Sequence, residues 1–206
     1  MSGSASTGQS LAEQVPSVLA HHPSIDSVAL TGSRARGEET ELSDWDFKIE
    51  TRDFASVGRA LPALVAPLEP LAVQWDRLSV EQCYMLMLRG AIKVDLIFDE
   101  PHAPEPPWEL SAETLNRIDD HFWDWIIWLA AKDTAGKREL VAAELGKMHQ
   151  HLLAPLGVVG VPSTIEEAVE AYGPALRDGA ARLGVRAPHE LGREVRGRLA
   201  GHRYAV

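Results

Sequence analysis

The sequence predicts an α+β domain with a mixed sheet, followed by an all-α helical-bundle domain. Strand-like and helix-like runs alternate through the first half of the chain. A proline-rich segment at residues 101–107 then interrupts regular structure. Beyond it, apolar residues recur with helical spacing only. We therefore place the first domain at residues 1–106 and the helical domain at residues 107–206.

The individual elements follow from the apolar periodicity. In the first domain the sequence predicts helices at residues 11–20 and 54–68 and strands at residues 26–31, 44–51, 71–76, 83–89 and 91–98. The strand at 44–51 is the clearest, because Trp45, Phe47 and Ile49 alternate with polar residues. In the second domain we expect four helices, which begin near Ser111, Lys137, Ser163 and Pro188.

The composition excludes several classes of function. The 206 residues carry 20 Lys and Arg against 30 Asp and Glu, a net charge of −10, so we expect no nucleic-acid binding through phosphates. No apolar run is long enough to span a membrane, and residues 1–10 lack the features of a signal peptide. The one cysteine, Cys83, cannot form an internal disulfide, which indicates the reducing cytoplasm. The sequence leaves the oligomeric state open.

The charges are unevenly distributed along the chain. Residues 1–110 hold 17 acidic and 8 basic side chains, whereas the last 31 residues hold seven arginines against three acids. Six of these arginines are Arg182, Arg186, Arg193, Arg196, Arg198 and Arg203. A solvated helix face is the plain interpretation of this arginine-rich end. The alternatives are that it docks onto the acidic first domain or reaches a nucleotide.

A phosphate cradle and a pair of carboxylates are predicted close together in the first domain. Gly32 and Ser33 follow a predicted strand, and such a pair lets backbone N–H groups and a hydroxyl approach a phosphate. Asp44 and Asp46 are two residues apart on a strand and point to one face, with Cα atoms about 6.5 Å apart. Asp95 falls on the polar face of a later strand. Carboxylates on one face beside a phosphate cradle suit a Mg²⁺ ion that bridges to a triphosphate.

The first domain resembles the polymerase-β-like nucleotidyltransferase superfamily. The residues that carry the likeness are Gly-Ser-Arg-Ala-Arg-Gly at 32–37 and Ser-Asp-Trp-Asp-Phe at 43–47. The likeness is greatest to its small bacterial members, the minimal nucleotidyltransferases and the aminoglycoside and lincosamide nucleotidyltransferases. It covers residues 26–99. In the antibiotic-modifying branch a helical extension follows the catalytic domain, and here the layout of the chain is similar.

The resemblance implies a role for each residue of the motif. Gly32 and Ser33 would bind the phosphates of a nucleoside triphosphate, and Asp44 and Asp46 would hold Mg²⁺. Asp95 would be the third carboxylate, either a further metal ligand or the base that deprotonates the acceptor hydroxyl. The implied reaction is in-line attack of that hydroxyl on the α-phosphorus, with pyrophosphate as the leaving group.

Two arginines beside the cradle are further candidates for the nucleotide site. Arg34 and Arg36 are placed where they could neutralise the charge of pyrophosphate. The alternative is that one or both pair with Glu38, Glu39 or Glu41. The residues alone do not decide between the two interpretations.

Four residues of the helical domain are weaker candidates. Glu144 and Lys147 are similar to a Glu and a Lys that serve as base and phosphate contact in certain aminoglycoside nucleotidyltransferases. Their spacing is three residues rather than four, and a surface ion pair is the alternative. Trp123 and Asp124 belong to a cluster of Trp and Asp that could line a cleft for a cationic or sugar-like acceptor. The alternative for the tryptophans is a place in the core.

The sequence therefore predicts a Mg²⁺-dependent nucleotidyltransferase that transfers AMP from ATP to a small hydroxylated acceptor, such as an antibiotic. The acidic first domain suits a positively charged acceptor. Two alternatives remain: a nucleotidyltransferase that adenylylates a partner protein, as in antitoxins of this type, and a non-catalytic nucleotide-binding module. The additional helical domain counts against the first alternative, and the intact set of acids counts against the second.

Overall fold

A five-stranded mixed sheet forms the centre of the first domain. The computed structural model describes residues 10–202 and 204, so the expectations for the first nine residues and for Arg203 lie outside the described residues. The strands are β1 (Ile25–Leu30), β2 (Trp45–Thr51), β3 (Ala72–Trp75), β4 (Glu81–Leu88) and β5 (Ile92–Pro101). Their order is β1-β2-β5-β4-β3, in which β2 and β5 run parallel and the other neighbours run antiparallel.

Helices cover both faces of this sheet. The helices α1 (Leu11–Leu19) and α3 (Phe54–Val65) pack on one face, in a core that includes Phe47 and Ile49 of β2. The short helix α2 (Gly32–Ala35) directly follows β1. Since side chains alternate along a strand, the residues between the core positions point to the opposite face. That opposite face carries the acidic residues and is covered by the helical domain.

The long helix α4 (Leu115–Thr134) is the central element of the helical domain. It contacts α5 (Arg138–Met148), α6 (Ile165–Leu183) and α7 (Glu190–Leu199), as well as β3 and β5 of the sheet. A helix surrounded in this way is buried nearly all round, and α4 buries even Asp119, His121 and Asp124. Among residues 10–202 and 204, no helix is both long and apolar enough to cross a membrane.

The structure confirms the predicted α+β and helical organisation and corrects several boundaries. β5 continues to Pro101, whereas the apolar alternation predicted its end at residue 98. The helix expected to begin near Lys137 is α5, and a π-helical turn at His149–Leu153 follows it. The helix expected to begin near Ser163 is α6, and its N-cap is Thr164. These shifts are small because periodicity fixes the body of an element better than its ends.

Replacing Thr164 by alanine is expected to lower the free energy of unfolding by about 1 kcal/mol. The Thr164 hydroxyl accepts a hydrogen bond of 3.1 Å from the backbone N–H of Glu167, and alanine leaves that N–H without its partner. Urea denaturation followed by circular dichroism measures the change. Ser10→Ala is the matched control, since Ser10 is the N-cap of α1 but makes no side-chain cap hydrogen bond. Equal losses in the two variants would contradict the assignment of the cap.

Candidate active site

Three carboxylates meet on the covered face of the sheet. Asp44 directly precedes β2, Asp46 lies in β2, and Asp95 lies opposite Asp46 in the parallel strand β5. One oxygen from each carboxylate lies within 4.8 Å of the other two. Burial, followed by the charges of Asp44 and Asp95, raises the pKa of Asp46 to about 6. Three carboxylate oxygens this close together form a set of ligands that fits Mg²⁺.

The Gly-Ser turn lies against this carboxylate cluster. The backbone N–H of Thr31 donates a hydrogen bond of 2.8 Å to the carbonyl of Asp46, which holds the end of β1 beside β2. Gly32 has a φ of +68°, and a Cβ placed there would lie 1.9 Å from Asp46 Oδ2. Only glycine therefore fits this position, for its backbone conformation and for the space. Ser33 is half-buried at the start of α2, next to the cluster.

Arg34 holds the loop that carries Asp44. Its guanidinium group donates hydrogen bonds of 2.9 Å to the Asp44 carbonyl and 2.6 Å to the Ser43 carbonyl. It also lies over the indole ring of Trp45, 4.2 Å from the ring centroid. Arg34 thus positions the backbone of a carboxylate residue. A contact from Arg34 to phosphate remains a prediction.

Arg36 has a different environment from Arg34. Its side chain is exposed and forms an ion pair of 2.7 Å with Glu38, one of the acids that the sequence offers as a partner. Exposed pairs of this kind contribute little to stability. The structure therefore places Arg34 and Arg36 differently, although they are two residues apart in the motif.

Lys93 is a residue of the site that the sequence interpretation missed. Its buried Nζ donates a hydrogen bond of 2.6 Å to Asp95 Oδ1 and bonds of 2.9 and 3.0 Å to the two carboxylate oxygens of Asp124. Burial opposes the charge on this lysine, but the charges of Asp124 and Asp95 outweigh it and raise the pKa of Lys93 well above its usual value. The available signal was its position, two residues before Asp95 on the same face of a strand.

Burial also changes the acidity of the two carboxylates that Lys93 contacts. It raises the pKa of Asp95 despite the opposing charge of Lys93. It raises the pKa of Asp124 to about 7, again against the opposing charge of Lys93. A second lysine, Lys132 at the end of α4, has its Nζ 3.6 Å from Asp44 Oδ2. Two lysines therefore partly balance the negative charge of the cluster.

A cavity of about 550 Å³ adjoins the carboxylate cluster through Asp95. It lies between the sheet and the helices α4 and α5, and Asp124, Glu144 and Lys147 line it together with Asp95. The residues that also line it and were not selected from the sequence include Asp76, Lys93, His121, Trp125, Trp128 and His151. Glu144 and Lys147 form an ion pair of 2.6 Å at its wall. The structure thus brings three of the four helical-domain candidates to one cavity beside Asp95.

Trp123 does not reach this cavity. Successive residues of an α-helix are rotated by about 100°, so Trp123 and Asp124 face different sides of α4. Trp123 is 3 % exposed, and its Nε1–H donates a hydrogen bond of 3.0 Å to Asp119. The indole of Trp123 packs between α4 and α7, which is the core position that the sequence left as the alternative.

The comparisons with known proteins agree with this geometry. Residues 11–105 match the family model described as nucleotidyltransferase domain. Residues 11–105 are therefore a nucleotidyltransferase domain, consistent with the polymerase-β-like superfamily, and this match supports an enzyme that transfers nucleotidyl groups. The match includes the Gly-Ser turn and all three carboxylates and ends before α4. A search of curated proteins gives no match.

Replacing Gly32 by alanine is expected to abolish detectable nucleotidyl transfer. The added Cβ would displace the carboxylate of Asp46, whose Oδ2 lies 1.9 Å from the Cβ position. The matched control is Gly37→Ala, because Gly37 has a similar φ of +66° but no heavy atom within 4 Å of an added Cβ. Pyrophosphate release measures the activity and thermal melting measures the stability. Equal loss of activity in the two variants would show that backbone strain, and not the contact with Asp46, matters.

Replacing Lys93 by methionine is expected to lower the free energy of unfolding by about 3–5 kcal/mol, because Asp95 and Asp124 remain buried without a cation. Adding Asp124→Asn should recover part of this loss, since it removes one uncompensated charge. Urea denaturation measures both variants. The control is Lys48→Met on β2, because Lys48 is exposed and lies 3.9 Å from Asp99. A Lys93→Met variant as stable as the control would refute the proposed charge balance.

Proposed function

We propose that this protein is a Mg²⁺-dependent nucleotidyltransferase that transfers AMP from ATP to a hydroxyl of a small acceptor. The observation that best supports the proposal is the position of Asp95, which belongs to the carboxylate cluster and also lines the cavity. A nucleotide held at the cluster and an acceptor held in the cavity would meet at this residue. Holding the two reactants side by side supplies much of the rate of a group transfer.

Separate groups of residues would bind the metal ion and the phosphates of the nucleotide. Asp44, Asp46 and Asp95 would hold the metal ion, and Mg²⁺ bound there would neutralise charge on the triphosphate. The backbone of Gly32 and the hydroxyl of Ser33 would contact the phosphates beside the cluster. Lys93 and Lys132 keep the unliganded cluster from carrying three uncompensated charges.

The chemical step would take place where the cavity meets the cluster. The acceptor oxygen forms a new bond to the α-phosphorus while the bond from that phosphorus to the pyrophosphate oxygen breaks. The hydroxyl proton passes to a carboxylate, and Asp124 is a candidate among the acids that line the cavity outside the metal cluster. Its pKa of about 7, raised chiefly by burial, suits a group that accepts a proton near neutral pH.

The lining of the cavity favours a hydroxylated acceptor with positive charge, of the aminoglycoside type. Its acids are Asp76, Asp95, Asp124 and Glu144, against two cations, Lys93 and Lys147. Both lysines already form ion pairs with acids of the same cavity. The indole rings of Trp125 and Trp128 add the flat apolar surface that binds sugar rings and cations. An acidic, aromatic-walled cavity of this volume fits a small molecule better than a protein side chain on a surface loop.

The double variant Asp44→Asn with Asp46→Asn is expected to lose Mg²⁺-dependent pyrophosphate release, by at least about 100-fold. The assay contains ATP, Mg²⁺ and a panel of aminoglycosides and lincosamides, and mass spectrometry identifies the adenylylated product. Asp99→Asn is the control, because Asp99 is an exposed acid of β5 outside the cluster. Unchanged turnover in the double variant would contradict the metal site. An adenylylated partner protein, with no modified small molecule, would contradict the proposed class of acceptor.

A further inference from the structure

A second cavity, of about 440 Å³, lies on the side of α4 that faces away from the sheet. Asp119 and Trp123 are four residues apart and share one face of α4, whereas Asp124 and Trp128 share another and line the first cavity. The second cavity is formed where α4, α6 and α7 meet. Its polar and aromatic lining consists chiefly of Asp119 and Trp123 from α4, Tyr172 and Arg177 from α6, and Arg193 and Arg196 from α7.

The floor of this cavity is fixed by hydrogen bonds and close packing. Asp119 Oδ1 accepts hydrogen bonds from the Trp123 indole at 3.0 Å and from the Tyr172 hydroxyl at 2.7 Å. Gly192 lets α7 approach the indole closely, because an added Cβ there would lie 2.7 Å from Trp123. The cavity is therefore preformed, as binding sites for small molecules commonly are.

The arginines of the cavity carry more positive charge than their surroundings balance. Arg196 lies over the ring of Trp123, 4.8 Å from its centroid, and faces the charge of Asp119. Within residues 10–202 and 204, Arg177 and Arg193 form no ion pair. Two guanidinium groups at one cavity thus have no acidic partner among the described residues. This is notable because acids outnumber bases in the chain, which has a net charge of −10.

Helix electrostatics do not explain these two arginines. Cations are favoured in the last turn of a helix, where Arg196 and Arg198 of α7 lie. Arg193 is instead the fourth residue of α7, near its positive end, and Arg177 lies in the interior of α6. For Arg193, a position near the positive end of a helix and at the rim of a cavity is one that a bound anion would stabilise.

Arg198, on the other face of α7, has a structural role. Arg198 donates hydrogen bonds to the carbonyls of Gly90 at 3.0 Å and Glu41 at 2.5 Å, and Glu194 accepts one of 2.9 Å from the Gly90 N–H. This face docks the arginine-rich end onto the first domain, one of the alternatives that the sequence left open. Arg193, in contrast, lies at the cavity and makes no such contact with another described residue.

We propose that this second cavity binds a small phosphate monoester whose body packs on the apolar and aromatic lining. The two guanidinium groups without counter-charge, Arg177 and Arg193, match the charge of a phosphate dianion approached from two helices. Leu176, Ala187 and Pro188 line the remainder of the cavity and provide an apolar surface for the body of the ligand. The site is separate from the carboxylate cluster and needs neither a metal ion nor nucleotidyl transfer.

The test uses AMP as the probe and isothermal titration calorimetry on the full chain in EDTA, which excludes metal-dependent binding at the carboxylate cluster. AMP should bind, adenosine should not, and Arg177→Ala and Arg193→Ala should each weaken AMP binding by about tenfold or more. Arg186→Ala is the matched control, because Arg186 is exposed in the same segment of the chain but does not line the cavity. Asp44→Asn with Asp46→Asn should leave AMP binding in EDTA unchanged.

Several results would overturn the proposal: no AMP binding to the wild-type chain, equal binding of adenosine, or equal weakening by Arg186→Ala. Loss of AMP binding in the Asp44→Asn and Asp46→Asn variant would also overturn it, because binding would then belong to the carboxylate cluster. Circular dichroism confirms the fold of each variant. Because Arg177 and Arg193 lie on different helices, one of them still provides the test if the other variant fails to fold.

Discussion

The crowding of Asp44, Asp46 and Asp95 is the constraint on which the rest of the structure depends. Their carboxylate oxygens lie within 4.8 Å of one another in a partly buried place, where like charges repel strongly. Folding such a cluster requires positive charge nearby, and the chain supplies Lys93 beside Asp95 and Lys132 beside Asp44. Among the described residues, no lysine forms an ion pair with Asp46, and burial, followed by the charges of Asp44 and Asp95, raises its pKa to about 6.

Both domains contribute to the cluster and to its charge balance. The parallel register of β2 and β5 sets Asp46 opposite Asp95, and Gly32 gives the turn after β1 room beside Asp46. The helical domain adds Lys132 and Asp124 from α4, and Asp124 completes the ion pairs of Lys93. The helix that covers the sheet is thus also the wall of the cavity. The charge balance of the cluster therefore depends on both domains.

The sequence predicts the first-domain motif and the organisation of the chain well, because both depend on local patterns. Alternation in β2 places Asp46 away from the core side chains of Phe47 and Ile49, and the structure agrees. Long-range contacts are not local patterns. The pairing of Lys93 with Asp124 joins residues 31 apart in sequence, and nothing in the spacing of either residue indicates it. The side of α4 that Trp123 occupies likewise depends on how α6 and α7 pack around it.

The most direct test of the account is anomalous diffraction from crystals soaked with Mn²⁺, which replaces Mg²⁺, and a non-hydrolysable ATP analogue. We expect an anomalous peak from Mn²⁺ within ligand distance of oxygens of Asp44, Asp46 and Asp95, with the α-phosphorus facing the cavity lined by Asp124. The absence of a peak at these carboxylates, or a nucleotide whose α-phosphorus faces away from the cavity, would contradict it.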